Sequence, residues 1–116
     1  MASPLMAAMN GLGVGEDGVS RSGRFLANWG SEFSAGLFNY PKGVAVAPDG
    51  SVYVAEWGNH RIQKFTSEGV FVSQWGTEGT GDGEFSWPLG VSVASDGSVY
   101  VADYSNNRIQ KFLPGP

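Results

Sequence analysis

At 116 residues, with 41% hydrophobic and 16% charged residues, the chain fits one folded domain and is too apolar to belong to a disordered one. A formal net charge of -4 works against partners recognised through phosphates, so no nucleic acid is expected, and no stretch approaches the roughly 20 apolar residues a membrane span needs. With no cysteine there is neither a disulfide framework nor a thiolate metal site, and no cofactor is expected.

From the N-terminus, "MASPLMAAMNGLG" lacks a basic leader and its apolar run is broken by Asn10 and Gly11, so residues 1–21 are read as a loose leader. Beyond it, 18 glycines are set among Val, Phe, Tyr and Trp, a mixture that favours strands joined by tight turns. Residues 22–30, "SGRFLANWG", match "EGVFVSQWG" further on and predict a single strand that stands before the first complete unit.

From there the chain repeats itself. "PKGVAVAPDGSVYVAEWGNHRIQKF", from Pro41 to Phe65, lies over "PLGVSVASDGSVYVADYSNNRIQKF", from Pro88 to Phe112, at an offset of 47 residues with 18 of 25 positions identical. Periods of this length belong to arrays and propellers. Within each unit the punctuation predicts "GVAVA" as one strand, "PDG" as a turn, "SVYVA" as a second strand, "EWGNH" as a loop and "RIQKF" as a third strand. In the first unit "TSEG" then turns the chain into a fourth strand, "VFVSQW". Asp49–Gly50 and Asp96–Gly97 sit where a tight hairpin needs an acceptor for local backbone N–H groups and a residue at ease with positive φ. The strands carry apolar groups on both faces, so each small sheet has to be covered on both sides by others like it.

These residues resemble the NHL repeat, a propeller-blade family with the pattern Pro-x-Gly-Val-Ala-Val, Asp-Gly, Val-Tyr-Val-Ala-Asp, Asn-x-Arg-Ile, then Phe and Trp-Gly. The resemblance covers about residues 22 to 112. The glycine-rich connector "GTEGTGDGEFSWP" also resembles the family's link between blades, whereas the earlier "GSEFSAGLFNYP" is one residue shorter and lacks Gly-Asp-Gly. The expected fold is therefore all-β, with two four-stranded antiparallel blades per chain in circularly permuted order. Residues 22–30 are an outer strand that completes a neighbouring chain's blade, 31–76 are the first blade, 77–112 are three strands of the second, and 113–116 are a tail.

The surplus strand and the missing strand are the same kind of object, and the resemblance implies a ring closed by exchanging them. The expected partner is the chain itself, as a homotrimer of six blades, with a homotetramer of eight blades as the alternative. Phe25, Leu26, Trp29, Arg108, Ile109 and Phe112 are the expected contacts between chains. Trp29, Trp75, Phe25 and Phe71 fall at matched places in the outer strands and read as packing between blades.

Chemistry-bearing residues are few. Glu56 and Asp103 open the loop between second and third strands, just before Trp57 and Tyr104, and with His60 they form the candidate face for a protein or small ligand. The competing reading gives each carboxylate an architectural role, taking backbone bonds or pairing with Arg61 or Arg108. His60, the only histidine, is the one candidate metal ligand, but it also fills the variable place of the Asn-x-Arg-Ile motif, where the second unit has Asn107. Asp82 and Glu84 in "GTGDGEF" lack the ligand frame of a calcium loop, and the basic pairs Arg61/Lys64 and Arg108/Lys111 are too sparse for a nucleic-acid track. No nucleophile elbow, phosphate-cradling loop, Cys/His pair or dinucleotide fingerprint is spelled out, so the chain is expected to be a self-assembling scaffold or binding module and not an enzyme. The alternatives are a metal-dependent enzyme at a central channel mouth, and an engineered or excised blade pair with no evolved role beyond assembly.

Overall fold

The computed structural model describes residues 23–29 and 37–113. The leader 1–21, Ser22, the stretch 30–36 of the first connector and the last three residues of the tail lie outside the described residues.

Two antiparallel meanders follow one another. The first runs β1 (Pro41–Val46), β2 (Val52–Glu56), a 3-10 turn over Trp57–Asn59, β3 (Arg61–Phe65) and β4 (Phe71–Trp75), paired in that order. The second runs β5 (Pro88–Val93), β6 (Val99–Asp103), a 3-10 turn over Tyr104–Asn106 and β7 (Arg108–Phe112), and has three strands among the described residues. The registers repeat: Val44 faces Val54 as Val91 faces Val101, and Ala55 faces Ile62 as Ala102 faces Ile109. The β2–β3 and β6–β7 loops differ from a plain loop only in that single 3-10 turn, which ends on a residue in the left-handed region, His60 or Asn107.

The hairpin chemistry works as the residues require. Ser51 N–H donates to Asp49 Oδ1 at 2.8 Å and Ser98 N–H to Asp96 Oδ1 at 2.9 Å. Gly50 and Gly97 take φ of 90° and 88°, a region closed to most side chains.

Packing between the two sheets makes the main core. Tyr53, Ala55 and Ile62 on one face of the first sheet meet Val99, Val101 and Phe85 of the second unit, with Trp75, Val91, Val93 and Phe112 packed around them. The two backbones approach closely at Gly43, where an added Cβ would stand 2.8 Å from Leu89 O and 3.1 Å from Gly90 Cα. The opposite face of the first sheet carries a second, smaller cluster, Val52, Val54 and Phe65, covered in part by Phe38 and by Trp29 from residues 23–29.

The two sheets therefore bury matched residues unequally. Tyr53 is 2% exposed and its counterpart Tyr100 37%; Ile62 is fully buried and Ile109 65% exposed. At the other end of the pair, Val44 and Val46 are exposed, whereas Val91 and Val93 pack into the main core. Full burial of an Ile side chain gains about 1.5–3 kcal/mol over exposure, a gain that Ile109 does not realise in the single chain.

Candidate functional site

The last residue of the second strand in each sheet, Glu56 of β2 or Asp103 of β6, is a carboxylate at zero exposure, and each gathers the same set of donors. Glu56 accepts from Asn39 N–H at 2.8 Å, Asn59 Nδ2 at 2.6 Å, Arg61 Nε at 2.5 Å and Gln63 Nε2 at 2.7 Å. Asp103 accepts from Ser86 N–H at 2.7 Å, Asn106 Nδ2 at 2.9 Å, Arg108 Nε at 2.8 Å and Gln110 Nε2 at 3.3 Å. An unpaired buried carboxylate costs several kcal/mol, so both its oxygens are engaged within the sheet and its connector. Burial pushes the Asp103 carboxyl up, but the bonds from Ser86, Asn106 and Arg108 outweigh it and hold the group below the usual carboxylate range.

The arginines reach further. Arg108 donates to Thr80 O, Gly81 O and Glu84 O at 2.7–2.9 Å, and Gln110 Nε2 adds a bond to Glu84 O at 2.7 Å. The connector between sheets is thus strapped to β7 by side chains. Arg61 makes the matching bond to Leu37 O at 3.0 Å. Within the connector, Glu84 Oε1 accepts from Gly81 N–H at 2.8 Å. Lys64 and Lys111 place their ammonium groups 5.6 and 5.5 Å from the rings of Tyr53 and Tyr100.

His60 lies between the sheets. Its backbone φ is 51°, its Nδ1 accepts from Trp87 N–H at 3.0 Å, its Nε2 is 3.6 Å from Glu78 Oε2, and its ring lies 4.4 Å from that of Trp87. One ring nitrogen is thereby occupied by a structural bond. Among the described residues no three His, Asp or Glu side chains converge in a way that could hold a metal ion.

The loop face combines residues that the sequence singles out with others that it does not. Trp57 lies against Trp87 at 4.1 Å between centroids with the rings tilted by 39°, and meets Tyr40 edge-on at 5.9 Å, with Lys42 Nζ 5.7 Å from its ring. Tyr104 is exposed. Tyr40 and Trp87 occupy matching places with φ of 53° and 59°, immediately before the proline that opens a sheet. Their signal in the sequence is an aromatic-proline pair at the same offset of 47. Gln63 and Gln110 were legible in the same way, as polar residues recurring where a strand interior would otherwise be apolar, and Asn59 and Asn106 as an asparagine recurring two residues before the arginine of the third strand. Of the expected chain-to-chain contacts, Phe25, Leu26 and Ile109 are exposed, Phe112 packs into the main core, Arg108 is held by Asp103 and the connector, and Trp29 lies on Phe65.

The family model of the NHL repeat matches residues 38–65 and 85–112, so the chain carries two NHL repeats. No curated protein matches it in sequence. Among solved structures, a streptogramin B lyase is similar with a TM-score of 0.53 and 17% identity, covering 80% of this chain and 31% of that one. A virginiamycin B lyase from Staphylococcus aureus gives a TM-score of 0.44 and 17% identity over 67% of this chain and 28% of that one. The chain thus spans less than a third of either structure, and its likeness to the streptogramin B lyase is one of fold.

That likeness corrects one expectation. The expectation that the chain is not an enzyme, which rests on absent catalytic motifs, is overturned: a solved structure whose fold it shares at a TM-score of 0.53 is a streptogramin B lyase. A contiguous motif is the wrong test for such a fold, because catalytic groups carried on separate loops converge in space without being adjacent in sequence.

Proposed function

We propose that this pair of NHL blades is a building unit of a larger propeller, made by copies of the chain docking head to tail, and that the assembled ring presents its β2–β3 loops as a binding face. The observation that supports this is the unequal burial of matched residues. The face bearing Tyr100, Ala102 and Ile109 has the same residues that bury the opposite face in the middle of the chain, and Val44, Val46, Val52 and Val54 reproduce the surface they bury against. A heterologous contact that repeats an existing one closes into a ring when the rotation allows, and a six-bladed ring takes three chains. Trp57 and Tyr104 then recur around one end of the ring, over the buried His60 and the buried carboxylates Glu56 and Asp103, as the surface for a protein or small ligand.

The test is the mass of the particle across a dilution series, for the natural chain and for Ile109→Asp, whose side chain is exposed in the single chain. The natural chain is expected at three copies and the variant at one, with both retaining the same strand signal in circular dichroism. A natural chain that stays at one copy at every concentration rules the proposal out.

A further inference from the structure

The free face of the first sheet is a groove, not a flat patch. A cavity of about 330 Å³ lies between Trp29 on one side and Pro41 to Val44 with Val52 and Val54 on the other, and its lining is mainly apolar. The chain contains its own template for what fills such a space. On the matching surface of the second sheet, Tyr53 packs among Val91, Val99 and Val101, with its ring 6.1 Å from Trp75 and edge-on to it. Trp29 reproduces the place of Trp75: it lies 5.8 Å from Phe65 as Trp75 lies 5.4 Å from Phe112. Phe38 completes the match, 5.5 Å from Phe65, as Phe85 is 5.7 Å from Phe112. Trp29, in the segment 23–29 that is not paired into a sheet, thus stands where the tryptophan of a preceding blade's outer strand would stand.

A glycine supplies the second observation. At Gly43 an added Cβ would collide with the backbone of Leu89 to Val91, so this glycine exists to let β1 approach β5. Gly90 is its counterpart 47 residues on, and around it an added Cβ would meet only the Ala102 methyl, at an ordinary 3.7 Å. Among the described residues, no contact requires a glycine there. The backbone that would require it is the match of Leu89 to Val91, namely Lys42 to Val44, and that segment forms the floor of the groove.

We infer that the groove is the socket for the second sheet of another copy of this chain, with Tyr100 of that copy seated beside Trp29 and its Gly90 lying against the backbone of Lys42 to Val44. This rests on the assembly reading above and adds to it a fixed docking register. In the first sheet Ile62 pairs with Trp75, Gln63 with Gln74, Lys64 with Ser73 and Phe65 with Phe71. Carried to the junction between copies, the same register sets Ile109 opposite Trp29, Gln110 opposite Asn28, Lys111 opposite Ala27 and Phe112 opposite Phe25, an added strand bound through its main chain. Gly90 is then a specificity residue for the junction, since any side chain there holds the two backbones apart.

The experiment compares the full natural chain with Gly90→Ala by sedimentation over a dilution series, and separately oxidises an equimolar mixture of Ala27→Cys and Lys111→Cys chains. Expected are assembly of the natural chain, at least tenfold weaker assembly of Gly90→Ala with unchanged strand content, and disulfide-linked pairs containing one chain of each kind. Cross-linking at that position requires Cα atoms about 4.4–6.8 Å apart, which a register slipped by two residues does not give. If the natural chain assembles but Gly90→Ala assembles equally well, or if no mixed pairs form, the socket and its register are wrong while the assembly reading stands. If the natural chain does not assemble at all, the assembly reading falls and takes the socket with it.

Discussion

Trp29 stands to Phe65 as Trp75 stands to Phe112, at 5.8 and 5.4 Å between ring centroids, although Trp75 ends a paired strand and Trp29 belongs to a segment paired with none. Replacing Trp75 by Ala removes a ring from the main core and is expected to cost about 3 kcal/mol in urea unfolding. Trp29→Ala is expected to cost the isolated chain less than half of that, because it covers only the smaller cluster of Val52, Val54 and Phe65. Equal losses for the two variants would show that residues 23–29 are as much a part of the single chain's core as β4.

Glu56 and Asp103 hold equivalent networks with side chains one methylene different in length. Glu56→Leu strands Arg61 and Gln63 without their acceptor and is expected to destabilise the chain by about 3 kcal/mol or more. Glu56→Asp keeps the acceptor and copies the second unit, so it is expected to recover most of that loss. Thermal unfolding of both variants checks the claim, and a Glu56→Asp chain as weak as Glu56→Leu would refute it.

Acid should act through the second network. The folded Asp103 carboxyl lies below its unfolded value, so it contributes stability that is present above about pH 4 and is lost as the pH falls through the folded value. Asp49 and Asp96 are lowered chiefly by the Ser51 and Ser98 backbone N–H groups and act in the same direction, with less weight because they are solvent-exposed. Unfolding measured between pH 6 and 2 is expected to show stability declining below about pH 4, and Asp103→Asn is expected to flatten that decline. Parallel declines for the two chains would mean that other groups carry the acid sensitivity.

His60 and Asn107 share the left-handed backbone, at φ of 51° and 53°. Asn is at ease in that region, so His60→Asn is expected to stay within about 1 kcal/mol of the natural chain. A β-branched residue is not, and His60→Val also leaves Trp87 N–H without its acceptor, for an expected loss of about 2 kcal/mol or more. Chemical denaturation distinguishes them, and a harmless valine would show that neither the backbone nor the bond matters.

Gly43→Ala places a Cβ within 2.8 Å of Leu89 O and cannot be absorbed without moving β1 away from β5. Overpacking of this kind is expected to cost about 1–3 kcal/mol in the single chain. Gly90→Ala, whose added methyl meets only the Ala102 methyl at an ordinary 3.7 Å, is expected to leave the stability of the single chain nearly unchanged. Equal losses would remove the distinction between a glycine used within the chain and one used between chains.

The sequence by itself determined what is local and what repeats. Alternating Val, Tyr and Ala set the strands, Asp49–Gly50 and Asp96–Gly97 set the hairpins, and the offset of 47 residues set two equivalent blades, because each depends on neighbours within a few positions or on a pattern stated twice. Only the tertiary structure decided what each copy of a repeated residue does. Identical tyrosines become core at position 53 and surface at position 100, and of two glycines in the same motif the one at 43 is pressed against backbone while the one at 90 has only a methyl at ordinary contact distance. The reason is that burial is fixed by which sheet lies against which face, and a residue's own neighbours in the chain carry no record of that. Nor did spacing reveal that Trp87 supplies the N–H for His60, a bond across 27 residues made by docking two sheets.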